Sequence, residues 1–536
     1  MPAVPAFEVL PYNLSILKDL LTRAPHADKL LVENKLHLVY FEEYFQNIGA
    51  ETIVVENDYV DRDFLEDYAG YYVRCFREYP RRCTRVHFFA KKFSAEDFEK
   101  YLGGGTGNLT KETLRGNYRG FIVVKPLPQT VVGRTCLATY DDGGGRRCYP
   151  ITRKYDANLF GTDLEVETLA FQEQDTVVAA CATSTLWSVF QGTGKLFHHR
   201  IPSPVEITEA AVEHSPLETR SLPNHGLTHA QMAHAIRSVG LEPFYVRAEN
   251  EHVLKSTLYA YLRGKVPVPM GITLCDTTVT PGQDKFNLGL HAVAVTGYGL
   301  GTAAHKPYKS GFLLEASRID KLYVHDDQVG PFARMRFDGI DVNLGTKCEP
   351  QVLGSLSTSW RARDGKIGPV RAVPDLMLIP LYHKIRIPFG VAHDKVSSLD
   401  ELLEPIRANV LANALPSRLW WDCYLTTATD VKRDLLGYQG ISAEYRRAIC
   451  TTCLPRFIWR ATACCGTTRV IDVLLDATEI EQGDLVAGVV EYDATLGNIL
   501  RWLGKNPPDM DVCVQLYWPI LKWLAKADTP GACWPA

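Results

Sequence analysis

The feature that most constrains this chain is a change of hydrophobic period near its middle. Residues 229–239 carry apolar side chains at helical spacing, with Thr228 placed as the N-cap and Gly240 as the C-cap. Residues 241–246 then read as a strand, 253–263 as a second helix closed by Gly264, and 266–272 as a strand again. Further strands are expected around His291 and Tyr323. Helices in front, followed by a run of strands of antiparallel type, are an α+β pattern.

At 536 residues the chain is too long for one ordinary core, so two or three domains are expected. Residues 1–105 read as a mixed α/β region, with helices at 13–21 and 94–101 and strands at 36–41, 52–55 and 86–89. The run Gly103-Gly104-Gly105-Thr106-Gly107-Asn108 breaks the pattern, and a strand at 120–125 ends at Pro126. A central domain is expected over 106–395, closing with strands between 376 and 391. From about 397 the texture changes. A helix begins at Leu399, a strand covers 419–426, residues 442–460 read as largely helical, strands lie at 469–475 and 485–492, and a helix covers 494–503. Residues 396–536 are therefore expected to form a separate α/β domain for recognition or assembly.

The chemistry concentrates in three segments. Cys181 follows Ala179-Ala180 and precedes Ala182, and Leu186, Trp187, Val189 and Phe190 continue as the apolar face of a helix. A thiol is mostly protonated at neutral pH; a helix N-terminus and a neighbouring imidazolium both lower its pKa. The small neighbours leave room for a substrate carbonyl. His291 opens the alternating strand His291-Ala292-Val293-Ala294-Val295-Thr296-Gly297-Tyr298, where its side chain shares a face with Val293 and Val295. It could act as general base and then as general acid. Asp326 closes Leu322-Tyr323-Val324-His325-Asp326 and could fix the imidazole tautomer. Asp327 is its rival, although strand alternation points it to the opposite face. Each residue also has a plain structural reading: a buried helical Cys, a satisfied core His, and a turn at Asp326–Pro331.

The order Cys, His, Asp, with a Gln upstream of the Cys, resembles the papain-like cysteine peptidases, and most closely the bacterial leader-peptide-cleaving (bacteriocin-processing) branch. The phrase His-Ala-Val-Ala-Val-Thr-Gly-Tyr is similar to that family's histidine strand, and the resemblance covers roughly residues 120–331. It implies a papain-like catalytic domain, with helices packed on an antiparallel sheet. It further implies that Cys181 attacks a peptide or isopeptide carbonyl to form a thioester, that His291 shuttles the proton and that Asp326 orients it. Gln174 would help to hold the oxyanion beside the Cys181 backbone N–H. Gln174 stands seven residues before Cys181, one more than is usual, and Gln172 is also near. The stretch from Tyr298 to Tyr323 is longer than is usual between these strands, which implies an insertion such as a hairpin. No metal or organic cofactor is implied. The same triad would serve an acyltransferase, transglutaminase or deamidase, and the same scaffold could serve a non-catalytic interaction protein.

Composition narrows the partners. Charged residues make up 22% of the chain and the formal net charge is −4, without a basic run, so nucleic acid is not expected as a partner; the resemblance implies a protein or peptide substrate. No apolar stretch approaches the roughly 18 residues of a membrane span. The stretch Met1-Pro2-Ala3-Val4-Pro5-Ala6-Phe7-Glu8 does not read as a signal peptide, and the fourteen scattered Cys read as reduced, so a cytoplasmic location is expected. Cys450-Thr451-Thr452-Cys453 with Cys464 and Cys465 hints at zinc but lacks a second matching CxxC. Gly192-Thr193-Gly194-Lys195 lacks the full spacing of a phosphate loop and reads as a helix-ending turn, and His198-His199 reads as solvated.

Overall fold

The computed structural model describes residues 5–24, 27–141, 144–175, 177–213, 222–223, 226–281, 283, 286–345, 351–506, 512–526 and 534. The first four residues of the N-terminal stretch and Thr176 of the cysteine segment lie outside them. The chain is α+β, its sheets are antiparallel, and it packs as two units. One comprises residues 1–248, 265–299 and 320–380; the other comprises 249–264, 300–319 and 381–536. Neither 105 nor 395 is a boundary of these units.

In the first unit, strands β1 (Phe7–Pro11), β2 (Thr52–Tyr59), β3 (Cys83–Phe89), β4 (Tyr118–Val124) and β5 (Val132–Leu137) form one sheet in sequence order. The expected strand at 36–41 is instead the start of a helix, Leu36–Asn47. His37, Leu38, Tyr40, Phe41, Tyr44 and Phe45 are its buried residues, spaced over one broad helical face. A six-residue apolar run cannot by itself separate the two periods.

After β6 (Arg147–Cys148) and a hairpin of β7 (Arg153–Leu159) and β8 (Thr162–Thr168), the unit builds its largest sheet. Its strands are β6, which pairs with β11, and β9 (Leu241–Arg247), β10 (Val268–Asp276), β11 (Asn287–Leu300), β12 (Ile319–Asp326), β13 (Gly330–Asn343), β14 (Val352–Ser357) and β15 (Val370–Tyr382). Because β10 pairs with both β11 and β15, the strands from β10 to β15 close into a ring, which removes free edges from those six. The register sets Ile272 opposite His291 and Val268 opposite Val295.

The helix Cys181–Phe197 is buried on almost every side rather than along one stripe, which suits its run of small and apolar residues. Thr185 Oγ1 donates to the carbonyl of Ala292 at 3.0 Å and so ties the helix start to β11. The expected turn at Gly192–Lys195 lies inside this helix, which ends at His198 in a left-handed conformation. Gly192 and Gly194 serve close packing, since a Cβ would fall 2.8 Å from Ile151 and 2.7 Å from Ile201. His199 of the adjacent pair joins Thr193 at 2.8 Å. The N-terminal stretch packs into this same unit: Trp187 Nε1 donates to Asp63 at 3.1 Å, and Tyr40 OH donates to the Pro331 carbonyl at 2.7 Å.

The second unit carries a four-stranded sheet of β16 (Leu419–Thr427), β17 (Phe457–Cys465), β18 (Thr468–Asp476) and β19 (Val486–Glu491). The expected helix over 442–460 divides into the helix Ala443–Thr451 and the start of β17, because Pro455 cannot continue a helix and biases the residue before it towards extended backbone. The helix Phe389–Asn409 starts directly after Pro388, earlier than the expected Leu399, so the strands expected up to 391 end with β15. The helix Glu251–Arg263 belongs to this unit, where Tyr259 OH donates to Asp422 at 2.8 Å and Tyr261 OH accepts from the Phe389 N–H at 3.2 Å. The long stretch between Tyr298 and Tyr323 carries no further named strand between β11 and β12, only a short antiparallel bridge between Pro307 and Leu313. It forms short turns at Lys309–Gly311 and Glu315–Arg318, and Leu314 bridges to Trp421. Among the described residues no helix is long and apolar enough to cross a membrane.

Candidate active site

Cys181 is the first residue of its helix. Ala180, in extended backbone, precedes it, and Ser184 is the first residue whose N–H bonds back into the turn, to Ala180. The N–H groups of residues 181–183 are therefore free of intrahelical partners, so the sulfur sits beside backbone donors and the positive end of the helix dipole. His291, buried on β11, lies beside Cys181 on the wall of the same cleft, and the nearby sulfur helps to favour its charged form. Its Nε2 lies 3.0 Å from Asp326 Oδ1, which leaves Nδ1 for the thiol. Three of the four expected residues thus form one chain of contacts: Cys181, His291 and Asp326.

The acid is held from three sides. Trp360 Nε1 donates to Asp326 Oδ2 at 2.8 Å, the Gln328 N–H donates to Oδ1 at 3.1 Å, and the Val329 N–H donates to the Asp326 carbonyl at 2.9 Å. The Trp360 ring also meets the imidazole edge-on, with centroids 5.2 Å apart. Asp327 does not point to the opposite face as alternation suggested. Its Oδ1 lies 3.5 Å from His291 Nε2. The reason is local: the β12–β13 register is irregular between Val324 and Asp326, and a turn follows at once, so strand alternation stops there.

Burial pulls the pKa of His291 down, but Asp326, Asp327 and the bond to Cys181 outweigh it and hold it well above its ordinary value. Burial pushes Asp326 up, yet the facing His291 and the Trp360 and Gln328 donors keep it below the usual carboxylate value. Burial, with the adjacent charge of Asp326, raises Asp327 to about 7 against the pull of His291. The site therefore favours an imidazolium against an ionised Asp326. Beneath the acids lies His37, whose pKa burial lowers.

Gln174 is not among the residues that line the cleft beside Cys181 and His291. It is half-buried between Glu173, which pairs with Lys35, and Asp175, which accepts from Tyr72 OH and from the Val177 N–H. Gln172 is buried, with its side-chain nitrogen unpaired. The donors beside Cys181 are the backbone N–H groups of its own helix start.

Cys181, Ala182 and His291 open onto a cleft of about 480 Å³. Met232, Ile272, Leu290 and Leu376 give it apolar walls, and His229 and Asp375 add polar groups. Trp360 and Asp375 lie in segments without any motif, so no local signal marks them. Among the described residues, His291, Asp326 and Asp327 are the group of three whose ligand-type atoms lie within 4.8 Å of one another. The contact from Nε2 to Asp326 accounts for that grouping. The zinc hint dissolves: Cys450 ends a helix with its sulfur near the Lys432 carbonyl, while Cys464 and Cys465 lie on β17. No family model and no curated protein matches the chain.

Proposed function

We propose that this protein is a papain-like cysteine peptidase that hydrolyses a peptide or isopeptide bond through a thioester. One observation carries the reading: Cys181 at a helix start shares a cleft with His291, whose Nε2 meets Asp326 at 3.0 Å, and the cleft is large enough for a side chain of a bound peptide. The imidazolium favours the thiolate, which attacks the scissile carbonyl. The helix-start N–H groups stabilise the oxyanion as charge develops. His291 gives its proton to the leaving amine, then takes one from the water that cleaves the thioester. Asp326, fixed by Trp360, keeps the ring turned so that Nδ1 faces the sulfur.

The test is labelling with a thiol-directed activity probe, read by peptide mapping. Cys181 should label well ahead of the other thirteen cysteines at pH 6, and His291→Ala should abolish the preference. Equal labelling of Cys181 and ordinary surface thiols would overturn the reading.

A further inference from the structure

We propose that Asp327 is a second positioning residue for His291, a carboxyl group whose negative charge, when present, keeps the imidazolium protonated. The inference rests on the Cys181–His291 pair of the proposed function and extends it to a group that the pair itself does not require.

The geometry comes first. His291 Nε2 has two carboxyl oxygens within reach, Asp326 Oδ1 at 3.0 Å and Asp327 Oδ1 at 3.5 Å. The oxygens of Asp326 are all engaged, by Nε2 and the Gln328 N–H on one side and by Trp360 on the other. Asp327 is different. Its Oδ2 accepts from Gln328 Nε2 at 3.1 Å, but its Oδ1 is buried without a hydrogen-bond donor and is turned towards the imidazole. A buried acceptor left in this way keeps its desolvation penalty, so the placement calls for a compensating interaction. Among the described residues, the imidazolium of His291 is the cation that faces it.

The surrounding groups sharpen the point. On β11 Asp327 faces His291, and on its own turn it faces Asp326 and Gln328. From the helix Leu36–Asn47 comes His37, which burial keeps neutral, and beyond that lie Lys35 and Glu173, paired with each other. Cys181 connects through His291. Two carboxylates against one imidazolium leave an excess negative charge in a buried site, so one carboxyl is favoured as the neutral acid at low pH. Asp327, raised to about 7, is that one. Once it ionises, a charge within about 4–6 Å holds a histidine pKa up by about 1–3 units. The ion pair that activates Cys181 therefore persists further into the alkaline range.

The experiment follows the rate of Cys181 alkylation by iodoacetate from pH 4 to 10 in the full chain. This anionic reagent reports the thiolate beside an imidazolium, so its rate falls as His291 loses its proton. Asp327→Asn, which keeps shape and removes charge, should move that fall to lower pH by about 1–3 units and leave the rate at pH 6 within about threefold of wild type. In parallel, the ring nitrogens of His291 in the unmodified protein, assigned by their loss in His291→Ala, should show a second, smaller titration step near pH 7. A variant profile that superimposes on wild type, or a wild-type titration without the second step, overturns the proposal. If His291→Ala also leaves the alkylation profile unchanged, the Cys181–His291 pair itself fails, and with it the proposed function. If only the Asp327 arms are silent, the peptidase reading stands without them.

Discussion

Gly330 and Tyr40 are in such close contact that a Cβ on the glycine would lie 2.5 Å from Tyr40 Cδ1. Gly330 also has a φ of +149°, a backbone state that side chains rarely adopt. It ends the turn that carries Asp326 and Asp327, and Tyr40 OH holds the next carbonyl, that of Pro331. The helix Leu36–Asn47 thereby braces the turn that carries the candidate acid. Gly330→Ala should destabilise the protein by about 1–3 kcal/mol and lower Cys181 labelling at pH 6. Urea titration and probe labelling on the same sample check it; unchanged labelling would separate the turn from the thiol.

Trp360 should matter through a single bond. Trp360→Phe keeps most of the packing against His291 but removes the 2.8 Å donor to Asp326 Oδ2. A buried carboxylate oxygen without its donor costs about 1–3 kcal/mol, and the acid's pKa rises. Cys181 labelling should fall most at the acid end of the profile, because Asp326 without this donor protonates more readily, and recover as the pH rises. A loss that is the same at every pH would point to displaced packing instead.

Acid should unfold the first unit by way of its buried histidines. Burial lowers His87 to about 4 and His325 to about 3. A lowered histidine pKa means that the folded state binds fewer protons than the unfolded one, so stability is lost as pH falls below the unfolded value of about 6.5. Between pH 6.5 and 5 each should cost about 2 kcal/mol. Urea midpoints should drop over that window, and His325→Leu, whose ring packs edge-on against Phe171 and Phe332, should flatten the drop. A midpoint independent of pH from 5 to 7 would refute this.

Truncation should show that the second unit is not an appendage. A chain ended before Phe389 would lose the partners of the helix Glu251–Arg263, whose Tyr259 and Tyr261 are now 1% and 0% exposed. The expected product is aggregated or rapidly proteolysed rather than a trimmed chain that still folds. A soluble fragment that unfolds cooperatively and still labels at Cys181 would contradict it.

Local signals in the chain were enough to locate the capped helix His229–Ser238, the helix that begins at Cys181 and the strand that carries His291, because caps, periodicity and small neighbours act over a few residues. They also singled out Cys181, His291 and Asp326 as candidates. They could not decide between helix and strand at Leu36, where a short apolar run fits both periods, nor see that residues 249–264 and 300–319 leave the first unit for the second. Strand alternation misdirected Asp327, since the chain turns at the residue where the rule was applied. Trp360, which holds Asp326 from 34 positions away, carried no mark in the sequence at all. Such contacts are decided by closure of the strand ring and by which buried polar atoms find partners. Both depend on the whole tertiary structure, and neither is encoded in any short window.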